Sequence, residues 1–115
     1  MLYVDAFLRD HPHRQVPPLL RAEQAAHADL ILGTHDHLDH VDRDVWPAMA
    51  AAAPRAVFVV PELVRDKLAK ALGIDPGRFI GLDDDSAAEV RGVRVTAVPA
   101  AHELLDVDQA TGLHP

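Results

Sequence analysis

The residues best able to do chemistry are consecutive: His35, Asp36, His37, Leu38, Asp39 and His40. They place three imidazoles and two carboxylates directly after the apolar run Leu30-Ile31-Leu32 and the pair Gly33-Thr34. Neutral imidazole nitrogen and carboxylate oxygen are ligands that zinc, manganese, iron and similar divalent ions accept. In an extended chain, side chains two apart share a face, so His35, His37 and Asp39 converge if strand geometry persists. His40 then reaches the site by a turn after Asp39. The spacing suits two neighbouring ions, with His35 and His37 on one and Asp39 and His40 on the other. The bland alternative is a solvated polar loop, which has no need of histidine at this density behind a buried strand.

His102 is the second candidate. It follows the strand-like segment 93–98 through Pro99-Ala100-Ala101, as His35 follows its own strand. Ligands of α/β proteins collect outside such strand ends; a capping or surface role is the alternative. His11, His13, His27 and His114 lack a comparable context and read as surface residues. The triplet Asp83-Asp84-Asp85 reads as a solvated turn, and Ser86 beside it has neither helix nor histidine to activate it. The chain has no cysteine, which excludes disulfides, thiolate-bound zinc and thiol catalysis.

Strands alternating with helices would position these residues. Segments 2–4, 30–32, 56–60 and 79–82 read as short buried strands, and 88–91 and 93–98 as two strands meeting near Gly92. Segment 6–16 is polar and reads as a loop. Pro17-Pro18 can open a short helix over 19–27. Asp42 is a plausible N-cap for a helix reaching Ala53, with Val45, Trp46, Met49 and Ala53 inward and Pro54 as its stop. Pro61-Glu62 opens another, with Val64, Leu68, Ala71 and Leu72 inward and Gly73 at its end. The pattern is α/β.

Composition narrows the function classes. A chain of 115 residues suits one domain. Apolar residues at 49% support a folded core, while aromatics at 4% predict one built from Ala, Val and Leu. The net charge of −7 argues against a nucleic-acid partner or an anionic membrane surface. No apolar stretch approaches a membrane span, and the N-terminus lacks the pattern of a signal peptide. A cytoplasmic protein with a small-molecule substrate is the expectation.

The cluster resembles the HxHxDH signature of the metallo-β-lactamase fold superfamily. Thr34 to His40 (THDHLDH), Val45-Trp46-Pro47, Phe58-Val59-Val60-Pro61, Ile80-Gly81-Leu82 and Pro99-Ala100-Ala101-His102-Glu103 resemble the L-ascorbate-6-phosphate lactonase-like metal-dependent hydrolases. The resemblance implies an αββα sandwich, of which residues 1–115 would form a single partial domain, roughly the N-terminal half. It implies two divalent ions, zinc or manganese with iron open. His35, His37 and His102 would hold the first, Asp39 and His40 the second, and Asp5 would support the ligands from behind. Asp39 would also orient or deprotonate the attacking water. The family's bridging aspartate and last histidine belong to the second half of the fold, and neither Asp106, Asp108 nor His114 has their sequence context. The expected activity is hydrolysis of lactone type. An inactive metal-binding or interaction module and a phosphodiesterase or nuclease of the same superfamily are the alternatives. Exposed sheet edges in a partial sandwich would favour a homo-oligomer.

Overall fold

The computed structural model describes residues 1–101 and 104–115. Strands β1 (Leu2–Val4), β2 (Leu30–Leu32), β3 (Val57–Pro61) and β4 (Phe79–Leu82) form one parallel sheet in sequence order. Register pairs Leu2 with Leu30, Ile31 with Phe58 and Val59 with Ile80. Helix α1 (Trp46–Ala52) lies between β2 and β3 in the chain, and α2 (Arg65–Leu72) between β3 and β4. Strands β5 (Ala87–Val90) and β6 (Val93–Thr96) form an antiparallel hairpin. Among the described residues no helix is long and apolar enough to cross a membrane.

The sheet is buried on both faces because alternate side chains serve different layers. Ile31, Phe58, Val60 and Phe79 pack with Trp46, Met49, Leu68 and Leu72 from the helices. Leu30, Val59 and Leu82 pack instead with Val90 of the hairpin, and Ala88 and Val95 close over them. The result is a helical layer, a parallel sheet and a hairpin layer, which is the α/β, partial-sandwich architecture expected. The hairpin turns at Arg91 and Gly92, both at positive φ (50° and 77°), the pairing that matches strand twist in a two-residue turn.

The few aromatics do more than composition suggests. Trp46, Phe58 and Phe79 form a continuous row through the core, with ring centroids 5.3 and 5.1 Å apart. Gly33 exists to admit this row: a Cβ there would stand 2.7 Å from Val41 and 3.1 Å from the Trp46 indole. Arg78 closes α1 from outside. Its guanidinium donates to the carbonyls of Ala50, Ala53 and Ala56 at 2.7–3.0 Å and lies over the Phe58 ring. Ala50 and Ala53 lie at the end of α1, where carbonyls lack intrahelical partners, and a cation there also complements the helix dipole.

Several expected boundaries move. Strand β1 is an edge strand, and Leu2 and Val4 are 40% and 53% exposed rather than buried, because the hairpin cluster does not extend over them. The helix expected over 19–27 is a single 3-10 turn, Ala22–Ala25. Its burial of Ala22 and Ala25 against α1, not length, fixes it. Regular helix begins at Trp46 after turns at 43–45, although Asp42 does cap them, accepting from the N–H groups of Asp44 and Val45. In α2 the inward small residue is Ala69; Ala71 is exposed.

Two stability predictions follow from this packing. Gly33→Ala should destabilise by about 1–3 kcal/mol through overpacking against Trp46, seen as a lower denaturant midpoint. Arg78→Met should cost about 2 kcal/mol by removing the guanidinium donors to Ala50, Ala53 and Ala56 O, with helix loss visible by circular dichroism near the transition.

Candidate metal centre

Strands β1 and β2 run parallel and end side by side, so Asp5 and Thr34 meet outside the same edge of the sheet. The Asp5 N–H donates to Leu32 O at 2.9 Å, continuing the ladder one step. Asp5 then turns with φ at 49°, a left-handed conformation that aspartate tolerates better than most residues. The turn brings its carboxylate across the end of β2. Oδ1 accepts the Thr34 N–H at 2.8 Å, and Oδ2 accepts the Thr34 hydroxyl at 3.0 Å and the His40 Nδ1–H at 2.8 Å.

This network decides which nitrogens carry protons. His40 donates from Nδ1 to Asp5, and its Nε2 faces Asp39 Oδ2 at 3.4 Å; in the neutral ring that nitrogen carries the lone pair. With the Thr34 hydroxyl donating to Asp5, Thr34 Oγ1 accepts from His35 Nδ1 at 3.1 Å, which puts the His35 lone pair on Nε2. His35 Nε2 lies 2.9 Å from His37 Nδ1. The His35 ring centroid is 4.5 Å from that of His37 and 3.9 Å from that of His40. A carboxylate behind a histidine, fixing its tautomer and leaving the far nitrogen for an ion, is the usual support of a metal ligand.

Turns, not strand alternation, bring the imidazoles together. Residues 35–40 are bends and turns, with N–H groups of His37 donating to His35 O and those of His40 and Val41 to His37 O. The expectation of an extended His35-His37-Asp39 face is therefore corrected, and the turn expected after Asp39 begins earlier. Asp36, between the two histidines, is drawn away from them: it accepts from Arg43 and from Lys67 on α2. Asp39 stays on the rim with a side chain 67% exposed and meets the cluster through His40.

The donor set fits divalent metal chemistry. Burial first, then the nearby His40 and His37, hold the His35 imidazole below its usual range, which favours the neutral form a metal needs. Two nitrogens on one tetrahedral ion at about 2.1 Å stand about 3.4 Å apart, so the His35 and His37 nitrogens at 2.9 Å are drawn together in a hydrogen bond. Among the described residues no group of three or more donors is spaced around a single ion. The expected third ligand, His102, lies outside the described residues. Ala100, Ala101 and Leu104 line a cleft of about 570 Å³ with His35, Asp36 and His37.

Sequence reasoning missed four partnerships. Thr34 links Asp5 to two histidines. Asp42, fully buried, is met by Arg9 through both its backbone N–H and its guanidinium. Asp36 is held by two cations. His114, expected on the surface, is mostly buried and bonds Asp83 Oδ1 from Nδ1 at 3.0 Å and from its N–H at 2.9 Å. Asp83 is accordingly not a freely solvated turn residue. Apart from Arg43 and the two histidines one and six residues from Thr34, each partner lies 29 or more positions away, beyond the reach of local pattern.

Burial acts to raise the Asp5 carboxyl, but the His40 and Thr34 hydrogen bonds outweigh it and hold the carboxyl below its usual 3.8. A depressed carboxyl contributes stability above its unfolded value and loses it as pH falls through the folded value. The protein should therefore lose stability as pH falls below about 4, and Asp5→Asn should remove part of that dependence in pH-resolved thermal melts. The same substitution removes the acceptor that orients His40, and should weaken metal binding about 10- to 100-fold, measured by competition with a chelating dye.

The chain is similar to known proteins over most of its length. A family model described as a beta-lactamase superfamily domain matches residues 2–113. The chain is 34% identical over 91 residues to an uncharacterized protein of Mycobacterium tuberculosis, covering 79% of this chain and 24% of that protein. It is 33% identical over 100 residues to a UPF0173 metal-dependent hydrolase of Thermoplasma acidophilum, covering 86% of this chain and 39% of that protein. A UPF0173 metal-dependent hydrolase of Herpetosiphon aurantiacus is 33% identical over 76 residues, covering 66% and 30%. The chain thus spans about a quarter to two fifths of the length of these relatives. With a matching family model over nearly its whole length and a histidine–aspartate loop at the parallel strand ends, this chain belongs to the beta-lactamase superfamily domain family.

Proposed function

We propose that this domain serves a metal-dependent hydrolase of lactonase type, cytoplasmic and acting on a small-molecule substrate. The observation that carries the reading is the carboxylate–imidazole pair Asp5–His40, which aims His40 Nε2 toward Asp39 beside the His35 and His37 nitrogens. Two relatives named metal-dependent hydrolases support it.

His35 and His37, with His102, would hold one divalent ion, and Asp39 and His40 a second. Zinc or manganese suits this set, and iron is compatible. Ions held there supply Lewis acidity that makes water a nucleophile near neutral pH. Asp39, exposed at the rim, orients the attacking water through a carboxylate oxygen and accepts its proton. Asp5 keeps His40 in one tautomer throughout, and the Thr34 hydroxyl does the same for His35. The cleft beside His35 and His37 receives the substrate carbonyl. The acidic chain disfavours a nuclease reading, since phosphate neutralisation needs cationic surface. A metal-binding module without turnover is the second reading: Asp36 is committed to Arg43 and Lys67, and Asp39 meets the cluster through His40.

His37→Ala should remove the first ion, whereas Asp39→Ala should spare it and weaken the second; elemental analysis of both variants checks this. Unchanged metal content in both would overturn the assignment. Cleavage of model lactones by the two-ion form, against inert phosphodiesters, supports the lactonase reading. One bound ion without turnover supports the module.

A further inference from the structure

The hairpin covers the sheet incompletely. Val90, Ala88 and Val95 close over Leu30, Val59 and Leu82. Strand pairing ends where Thr96 meets Ala87, and one further bond joins the Ala97 N–H to Ser86 O at 2.9 Å. Residues 97–100 belong to no strand, yet they continue over the ends of β2, β3 and β4. The space left between them and the sheet is a cavity of about 320 Å³. Leu32, Val59 and Leu82 line it from the sheet, and Val95, Ala97 and Val98 from the hairpin side.

Its lining selects against charge. Among the described residues no lysine or arginine borders it. The Thr34 N–H and hydroxyl are spent on Asp5. Asp83 accepts the His114 N–H at 2.9 Å and bonds Nδ1 at 3.0 Å, and Asp84 beside it is exposed. An anion entering here meets two carboxylates, and a polar group gives up water for few partners. A hydrocarbon chain loses nothing and gains burial. The volume is that of a small ligand pocket, about 300 Å³ or more. The cavity also adjoins the metal loop's cleft, because Ala100 and Pro115 line both. The His114–Asp83 bonds fix Pro115 in that shared wall.

We propose that this cavity binds the uncharged aliphatic part of a small molecule whose polar end lies in the cleft of His35 and His37. That the polar end carries the bond to be cleaved rests on the proposed function; the aliphatic site itself requires neither metal nor turnover. The chain of the ligand lies between Leu32, Val59 and Val98, and its head passes Ala100 and Pro115 toward the imidazoles. The substrate class this selects is a neutral lactone or ester bearing a linear hydrocarbon substituent.

Titration of octanamide into the chelator-treated full chain tests this, with methyl resonances followed by NMR. Saturable shifts at Leu32, Val59, Leu82 and Val95 are expected, and none with acetamide, which has the head without the chain. Ala97→Phe fills the cavity from inside and should weaken octanamide about tenfold or more. Should that variant fail to fold, Val98→Trp fills it from a position 75% exposed and must show the same loss at an unchanged melting temperature. No saturable shift, equal binding of acetamide, or undiminished binding in the folded variants overturns the site. Shifts of the same methyls on raising protein concentration without probe also overturn it, because a second copy then occupies the cavity. In the metal-loaded chain, a lactone with an aliphatic tail should have a lower KM than the bare ring, and Val98→Trp should erase the difference. Octanamide binding without turnover of either lactone upholds the site and fails the hydrolase reading alone.

Discussion

Asp5 ties two strand ends and two histidines with one carboxylate. Its oxygens take the N–H and hydroxyl of Thr34 and the Nδ1–H of His40, and the Thr34 hydroxyl in turn meets His35. A loop of bends and turns has no internal ladder to hold imidazoles in register. The order must come from outside it, and here it comes from the neighbouring strand. Because β1 and β2 are parallel and adjacent, their ends fall on the same edge, and a short aspartate in a left-handed turn can span the gap. An antiparallel neighbour would have placed its end on the opposite edge.

Two further carboxylates complete the anchoring, each sending the loop in a definite direction. Asp36 binds Arg43 and Lys67, which pins the loop to α2 and keeps that oxygen pair away from the histidines. Asp42, buried at the loop's exit, is met by Arg9 and by the first turn of the following helical segment. A buried carboxylate is tolerable only when its oxygens are this fully bonded. Within the stretch from Asp36 to Asp42, then, the aspartates divide the work. Two fix the backbone, and Asp39 stays exposed, its side chain 67% accessible.

The packing beneath serves the same end. Gly33 lets the Trp46 indole press against the backbone where β2 stops, and Trp46, Phe58 and Phe79 stack under the sheet edge. A rigid floor matters because ligand geometry must hold to a fraction of an ångström. The loop after β1 is likewise held beside the site by Arg9, which grips Asp42 at the loop's exit.

The helix and strand pattern was legible because four short apolar runs and two amphipathic segments carry their own periodicity. Burial of individual residues was less so: Leu2 and Val4 look like core residues, and only their place on the sheet edge exposes them. The HxHxDH loop was legible as a cluster of metal-ligand residue types after a strand, and the structure does gather His35, His37 and His40 there. What it did not disclose was how they converge. Alternation suggested an extended face, whereas the chain turns at His37, and Asp36 leaves the cluster for cations that sequence places elsewhere. By itself, then, the sequence determined the donor types gathered in the loop and the α/β layering, because both follow from local composition and spacing. Only the tertiary structure decided the tautomers of His35 and His40 and the partners of Asp5, Asp36 and Asp42, because those depend on which distant strand or helix ends beside the loop.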